Sequence, residues 1–229
     1  MHDEPHAVAE RYARRRAADA RYHPLRAEVQ YAQQERQRAL RALLVRAGLA
    51  SVETLRLTEV GCGSGANLLE LLQLGFAPEH LQGIELLPER LAQARARLPA
   101  ALRLIEGDAA QADVATGSQH LVLQATVFSS LLDDAFQQRL AEAMWRWLAP
   151  GGAILWYDFT VDNPRNADVR GVPLARVREL FPQGRLDVRR VTLAPPLARA
   201  AGRVHPRLLP LLNALPLLRT HVLVRIDKK

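Results

Sequence analysis

Gly61, Gly63 and Gly65 alternate through T-E-V-G-C-G-S-G (58–65), between an apolar run (Leu55, Leu57, Val60) and a helix-forming run (66–72). Glycines at a strand-to-helix junction let the backbone turn sharply and come close to a ligand. Their N–H groups, near a helix N-terminus, favour a carboxylate. Glu59 immediately precedes the loop and can organise it or meet an amino group; Asn67 caps or supports it. A second acid, Glu85, ends a second strand (Gly83-Ile84-Glu85). It follows the loop by about 20 residues, where a nucleotide-binding fold places the acid that meets the ribose. A carboxylate there can accept both hydroxyls of a diol. Asp108 reads as a helix N-cap or a further acceptor, with the Ala109 N–H beside it.

This set resembles the class I S-adenosylmethionine-dependent methyltransferases, and within them the stand-alone bacterial UbiE-like broad group. E-V-G-C-G-S-G (59–65) stands at their first motif, G-I-E (83–85) at the second and E-G-D-A (106–109) at the third. L-A-P-G-G (148–152) matches the turn before their fifth strand. The resemblance spans roughly 50–160 and implies an α/β fold: a three-layer Rossmann-like sandwich with a seven-stranded, mostly parallel sheet and an antiparallel last strand. It implies S-adenosylmethionine as cofactor and S-adenosylhomocysteine as product. It places Glu59, Gly61, Cys62, Gly63, Gly65, Asn67, Glu85, Leu86, Asp108, Ala109 and Gln124 around the cofactor, with Glu85 on the ribose and Asp108 on the adenine amino group. An NAD-binding Rossmann domain is the competing reading, since Ala66 can take the last place of G-x-G-x-x-G. Glu59 before the loop and the later P-G-G favour the methyltransferase.

A sulfonium methyl is already activated, so the protein must align a nucleophile, exclude water and, where needed, take a proton. Sites in such folds lie outside the carboxyl ends of the strands. Asp158, ending the fifth strand after Ile154-Leu155-Trp156, reads equally as a general base and as a buried acceptor that holds the next loop. His205 and His221 are alternative bases. Q-A-T-V (124–127) replaces the N-P-P-Y or D-P-P-Y of DNA and glutamine N-methyltransferases. Ser129 and Ser130 face substrate or cap a helix. The metal triad of catechol-type enzymes fails by position: Gln124 and Phe159 stand where acid and amide are needed, and Asp162-Asn163 comes too late. No catalytic metal is expected. His23, Tyr22 and Tyr31 are aromatic candidates for closing the site, and Cys62 is a small core-facing filler.

The elements that must position these residues follow from periodicity. Residues 5–23 are charged and Arg-rich, and a long helical pattern runs from Leu25 to Ala47. Residues 1–50 thus read as an N-terminal helical cap region, and 51–229 as the catalytic domain. Strands are expected at 55–60, 80–85, 102–106, 120–125, 153–158, 185–193 and 220–226. Helices are expected at 66–74, 88–98, 134–148 and 173–181, with a turn at 109–113. Between the last two strands, 194–219 is a Leu- and Pro-rich insert of broken helices. It reads as a lid over the acceptor, a lipid-facing surface, a homodimer interface or core packing.

The 229-residue chain is 48% hydrophobic and 24% charged, ordinary globular values, with one cysteine. Its formal charge is +7, almost all from arginine, since Lys228 and Lys229 are the only lysines. The charge is dispersed and no aromatic–basic stripe accompanies it, so nucleic acid is not the expected partner. An RNA-directed methyltransferase or a basic nucleic-acid binder is the alternative. The expected partner is a small-molecule or glycan acceptor, methylated at a hydroxyl. No secretory pattern and no apolar stretch of membrane length is found, so a cytoplasmic protein with at most peripheral membrane contact is expected.

Overall fold

The computed structural model describes residues 3–14, 23–164 and 166–229. The alternation of strand and helix after Val52 forms one seven-stranded sheet in the order β3-β2-β1-β4-β5-β7-β6. The strands are β1 (Leu57–Val60), β2 (Leu81–Glu85), β3 (Arg103–Glu106), β4 (Gln119–Ala125), β5 (Leu148–Phe159), β6 (Arg185–Leu193) and β7 (Arg219–Asp227). β1 runs parallel to both β2 and β4, and β4 is parallel to β5. β7 is antiparallel to both β5 and β6, so it alone is reversed. This is the fold expected from the sequence.

Strand alternation separates two cores. Val60, Val122, Ile154, Trp156, Val222 and Val224 face one side, against α5 (Asp134–Trp147) and α6 (Leu174–Leu180). Leu57, Leu121, Leu123, Leu155 and Leu223 face the other. There they meet α2 (Ala27–Arg46), α3 (Ala66–Gln73) and α4 (Pro88–Arg95). Leu40, Leu43 and Leu44 make α2 part of this second core. A strand buried on both faces reads as a near-continuous apolar run, which is how β4 and β5 read.

One helix departs from the apolar pattern. α1 (Glu4–Ala13) buries Glu4, Val8 and Arg11, a single face of the helix in which two of three positions are charged. Glu4 Oε1 accepts from Arg11 Nη2 at 2.6 Å and from the Leu132 N–H at 2.7 Å. Arg11 Nη2 also donates to the Ser130 carbonyl at 3.0 Å. A buried ion pair therefore pins α1 across the loop that follows β4.

The insert between β6 and β7 folds as α7 (Pro195–Val204), α8 (Leu208–Asn213) and a single 3-10 turn (Pro216–Leu218). Prolines open α7 and the 3-10 turn, as the missing N–H of a first-turn proline permits, and Pro210 stands in the first turn of α8. Ala198, Ala201 and Leu209 pack down on Leu193 and on Ala27 and Tyr31 of α2.

Candidate functional site

The carboxyl ends of β1, β2, β3 and β4 open into a cleft. Gly61, Glu85, Leu86, Asp108 and Ala109 line it. The walls also hold Pro5, Val8 and Tyr12 of α1 and Arg90 of α4, which the sequence did not point to, and Thr126-Val127 of the Q-A-T-V run after β4.

The glycine loop builds one side. Gly61, Gly63 and Gly65 have φ of +62°, +57° and +84°, the left-handed region that glycine enters without strain. Their surroundings differ. A Cβ on Gly61 would lie 2.6 Å from Val127 Cγ2, and one on Gly65 would lie 2.8 Å from Leu98 Cδ1. At these two positions Val127 and Leu98 fill the space that a side chain would take. Only at Gly63 is the space open, with Arg90 Nη1 the nearest atom at 3.7 Å. Cys62 turns inward: its N–H is bonded to the Ile84 carbonyl, its side chain packs under Gly83, and burial pushes its thiol up.

Glu85 is held from both sides. Its Oε2 accepts from the Gly63 N–H at 2.7 Å and its Oε1 from the Leu87 N–H at 2.9 Å. Each oxygen keeps a lone pair, and the carboxylate cannot rotate away. Asp108 caps the 3-10 turn Ala109–Gln111, accepting from the Ala110 N–H at 2.8 Å and from Gln111 Nε2 at 2.9 Å. The cap and the cleft position hold together.

Behind the loop, on the α2 face, Glu59 is fully buried. Its Oε1 accepts from Asn67 Nδ2 at 2.5 Å, and Asn67 Oδ1 accepts from Arg36 Nη1 at 2.5 Å. Arg36 Nη2 also donates to both Glu70 oxygens, at 2.8 and 2.9 Å. Glu59 Oε2 has no hydrogen-bond partner among the described residues. Burial pushes Glu59 up to about 8 against these bonds.

The proposed catalytic residues are not gathered at one point. Asp158 is fully buried: Oδ2 accepts from the Ser129 N–H at 3.1 Å and Oδ1 from its neighbour Phe159 N–H at 3.0 Å. Burial pushes it up to about 7. It faces the α5 side, where Gln124 also sits buried, accepting from the Val127 N–H at 3.1 Å. Both residues brace the turn after β4, and neither lines the cleft. His221 pairs with Phe159 in the β5–β7 register and so faces the opposite side of the sheet. Its ring stacks on Tyr157 at 5.1 Å, and burial holds it neutral, down to about 4. His205 lies on the exposed insert, where Nδ1 accepts from the Arg207 N–H at 3.1 Å; it is a local cap remote from the cleft.

The aromatic cover also differs from expectation. Tyr31 Oη accepts from Asn213 Nδ2 beneath the insert, and His23 accepts from the Leu25 N–H. Tyr22 falls outside the described residues. Tyr12 takes the covering place, with the Arg90 guanidinium 4.6 Å over its ring and Ser130 Oγ 3.4 Å from its hydroxyl. Thr126 stands at the cleft with φ +57°, a strained conformation for a β-branched residue. Asp162 Oδ1 accepts from the Gly171 N–H and closes the loop after β5. Among the described residues no three His, Cys, Asp or Glu side chains group to hold a metal.

Residues 58–152 match the family model of a methyltransferase domain. The comparison with curated proteins finds no matching sequence. Among solved structures, a SAM-dependent methyltransferase from Thermotoga maritima, described as a possible histamine N-methyltransferase, is 16% identical. It aligns over 97% of this chain and 99% of its own with a TM-score of 0.63. A SAM-dependent methyltransferase from Archaeoglobus fulgidus is 12% identical, over 86% and 98% of the two chains, with a TM-score of 0.60. A methyltransferase partner solved with the Haloferax volcanii Trm112 activator is 17% identical over 100% and 98%, with a TM-score of 0.60. At these identities the likeness establishes the fold.

Proposed function

We propose, from the methyltransferase-domain match over 58–152 and the cleft beside it, that this chain is an S-adenosylmethionine-dependent methyltransferase. The observation that carries the reading is Glu85, locked by the Gly63 and Leu87 N–H groups with its free lone pairs at the cleft. A ribose diol fits a carboxylate so presented. Two further features fit the same cofactor. The open space at Gly63 allows close approach to the backbone, and the buried Glu59, through Asn67, braces the loop that carries it. When bound, the cofactor supplies an activated methyl group on a sulfonium.

The chain's own residues bind, orient and exclude water. Asp108 and Ala109 border the adenine end, and Leu86, Val127 and Leu131 give it apolar walls. Tyr12 and Val8 of α1 cover the cleft, so the buried Glu4–Arg11 pair is part of the closure. We assign Asp158 and Gln124 to positioning: they hold the turn 126–131 that borders the transfer centre. His221, held neutral by burial, stacks on Tyr157 on the other face of the sheet and does not line the cleft, so no general base is assigned.

We assign the acceptor to a hydroxyl of a small molecule or glycan, transferred without a metal. The support is Q-A-T-V at 124–127, where amide- and base-directed enzymes carry an N-P-P-Y type motif. A complex with S-adenosylhomocysteine tests the assignment. The ribose should sit on Glu85 and the adenine between Asp108 and Leu86. A nucleotide bound elsewhere, or none in the cleft, would overturn it.

A further inference from the structure

From Val188 to Ile226 the chain contains seven arginines and no aspartate or glutamate. Five of the eight exposed large hydrophobic residues of the described chain lie here. They are Leu197, Val204, Leu211, Leu215 and Leu217, the last 94% exposed. They are not the underside of the insert, because Ala198, Ala201 and Leu209 already fill the contact with α2. Leu197 and Val204 are seven residues apart on α7 and share its outer side; Leu211 follows on α8, and Leu215 and Leu217 in the turn after it. Between them stand exposed Arg203 and Arg207, neither of which has a carboxylate within salt-bridge distance among the described residues.

The chemistry of this face selects its partner. A second copy meeting it across a two-fold axis would set arginines against arginines, with no acid on the stretch to pair them. A nucleic acid would satisfy the arginines but not the leucines, and no Phe, Tyr or Trp lies between 188 and 226 to stack a base. Exposed aliphatic side chains interleaved with unpaired cations fit an interface of acyl chains and anionic headgroups. The geometry points to the α7–α8 face as a docking surface for an anionic membrane. The insert leaves β6 at Leu193 and re-enters at Arg219, on the sheet edge where β5 ends, so a docked bilayer lies along the edge that carries the cleft. This goes beyond the methyl-transfer reading and does not depend on it.

Flotation of the full chain with phosphatidylcholine vesicles, with and without about one-third phosphatidylglycerol, tests it. Binding is expected to the mixed vesicles alone and to fall as salt rises. Arg203→Gln and Arg207→Gln should each weaken binding about fivefold, as roughly 1 kcal/mol per surface cation implies. Leu211→Ser with Leu217→Ser should weaken it further. All four positions are exposed, and unchanged melting by circular dichroism confirms folding. No flotation, or equal flotation on neutral vesicles, overturns the proposal. So does a dimer that the leucine substitutions dissociate. RNA binding that needs the arginines but not the leucines overturns it as well.

Discussion

Replacing Glu4 with alanine removes the acceptor of a buried cation and orphans a backbone N–H. The Glu4 and Arg11 side chains are 6% and 10% exposed. Breaking such a pair leaves an uncompensated charge and costs about 3–5 kcal/mol, and the freed Leu132 N–H adds about 1–3 kcal/mol. α1 can leave its seat without unfolding the sheet, so the loss is capped at the free energy that docks α1. The expected outcome is local. Hydrogen exchange of the 4–13 amides should speed up by about two orders of magnitude, as roughly 3 kcal/mol implies, while β4 and β5 stay protected. Cofactor affinity should fall with it, because Pro5, Val8 and Tyr12 wall the cleft. The double variant Glu4→Leu/Arg11→Met should recover part of the protection, since apolar replacement of both partners is far milder than loss of one. Unchanged exchange in Glu4→Ala, or protection lost equally across β4 and β5, would refute the reasoning.

Gly63→Ala should fold at a penalty of about 1–2 kcal/mol for its left-handed backbone and lose S-adenosylmethionine affinity at least about tenfold, measured by calorimetry. Wild-type affinity there would show that the open space at Gly63 is not used. Glu59 is pushed up from 4.5 to about 8, so the folded chain keeps a proton that the unfolded chain releases. Its contribution is full below pH 4.5 and is lost as pH rises through 8. The melting temperature should therefore fall with pH across that window more in wild type than in Glu59→Gln; parallel curves would contradict this. Replacing 194–219 by a short turn should lower the melting temperature by uncovering Ala27 and Tyr31, yet leave cofactor affinity intact. A matching loss of affinity would tie the insert to the cleft.

Periodicity carried most of the fold. β6 falls at 185–193 as read from its alternation, and the helices agree within a few residues, since strongly patterned segments leave little choice. α1 was less legible because two of its three buried positions are Glu4 and Arg11, which satisfy each other only across the loop after β4. The cleft's acids could be placed from spacing, because Glu85 and Asp108 follow directly from strand ends. Side-chain direction could not. Asp158 near the end of β5 and His221 near the start of β7 lie at the same sheet edge, but His221 pairs with Phe159, one step from Asp158, and so faces the opposite side. Tyr12 and Thr126 gave no motif: one depends on how α1 docks, the other on a backbone angle that composition does not encode.

The central claim is that Glu85, pinned by the glycine loop, holds the ribose of S-adenosylmethionine. Calorimetric titration of wild type and Glu85→Ala with S-adenosylmethionine tests it most directly. Single-site binding to wild type is predicted, weakened by about 2–4 kcal/mol in the variant through loss of charge-assisted hydrogen bonds. No heat with wild type, or a difference below about 0.5 kcal/mol between the two, would contradict it.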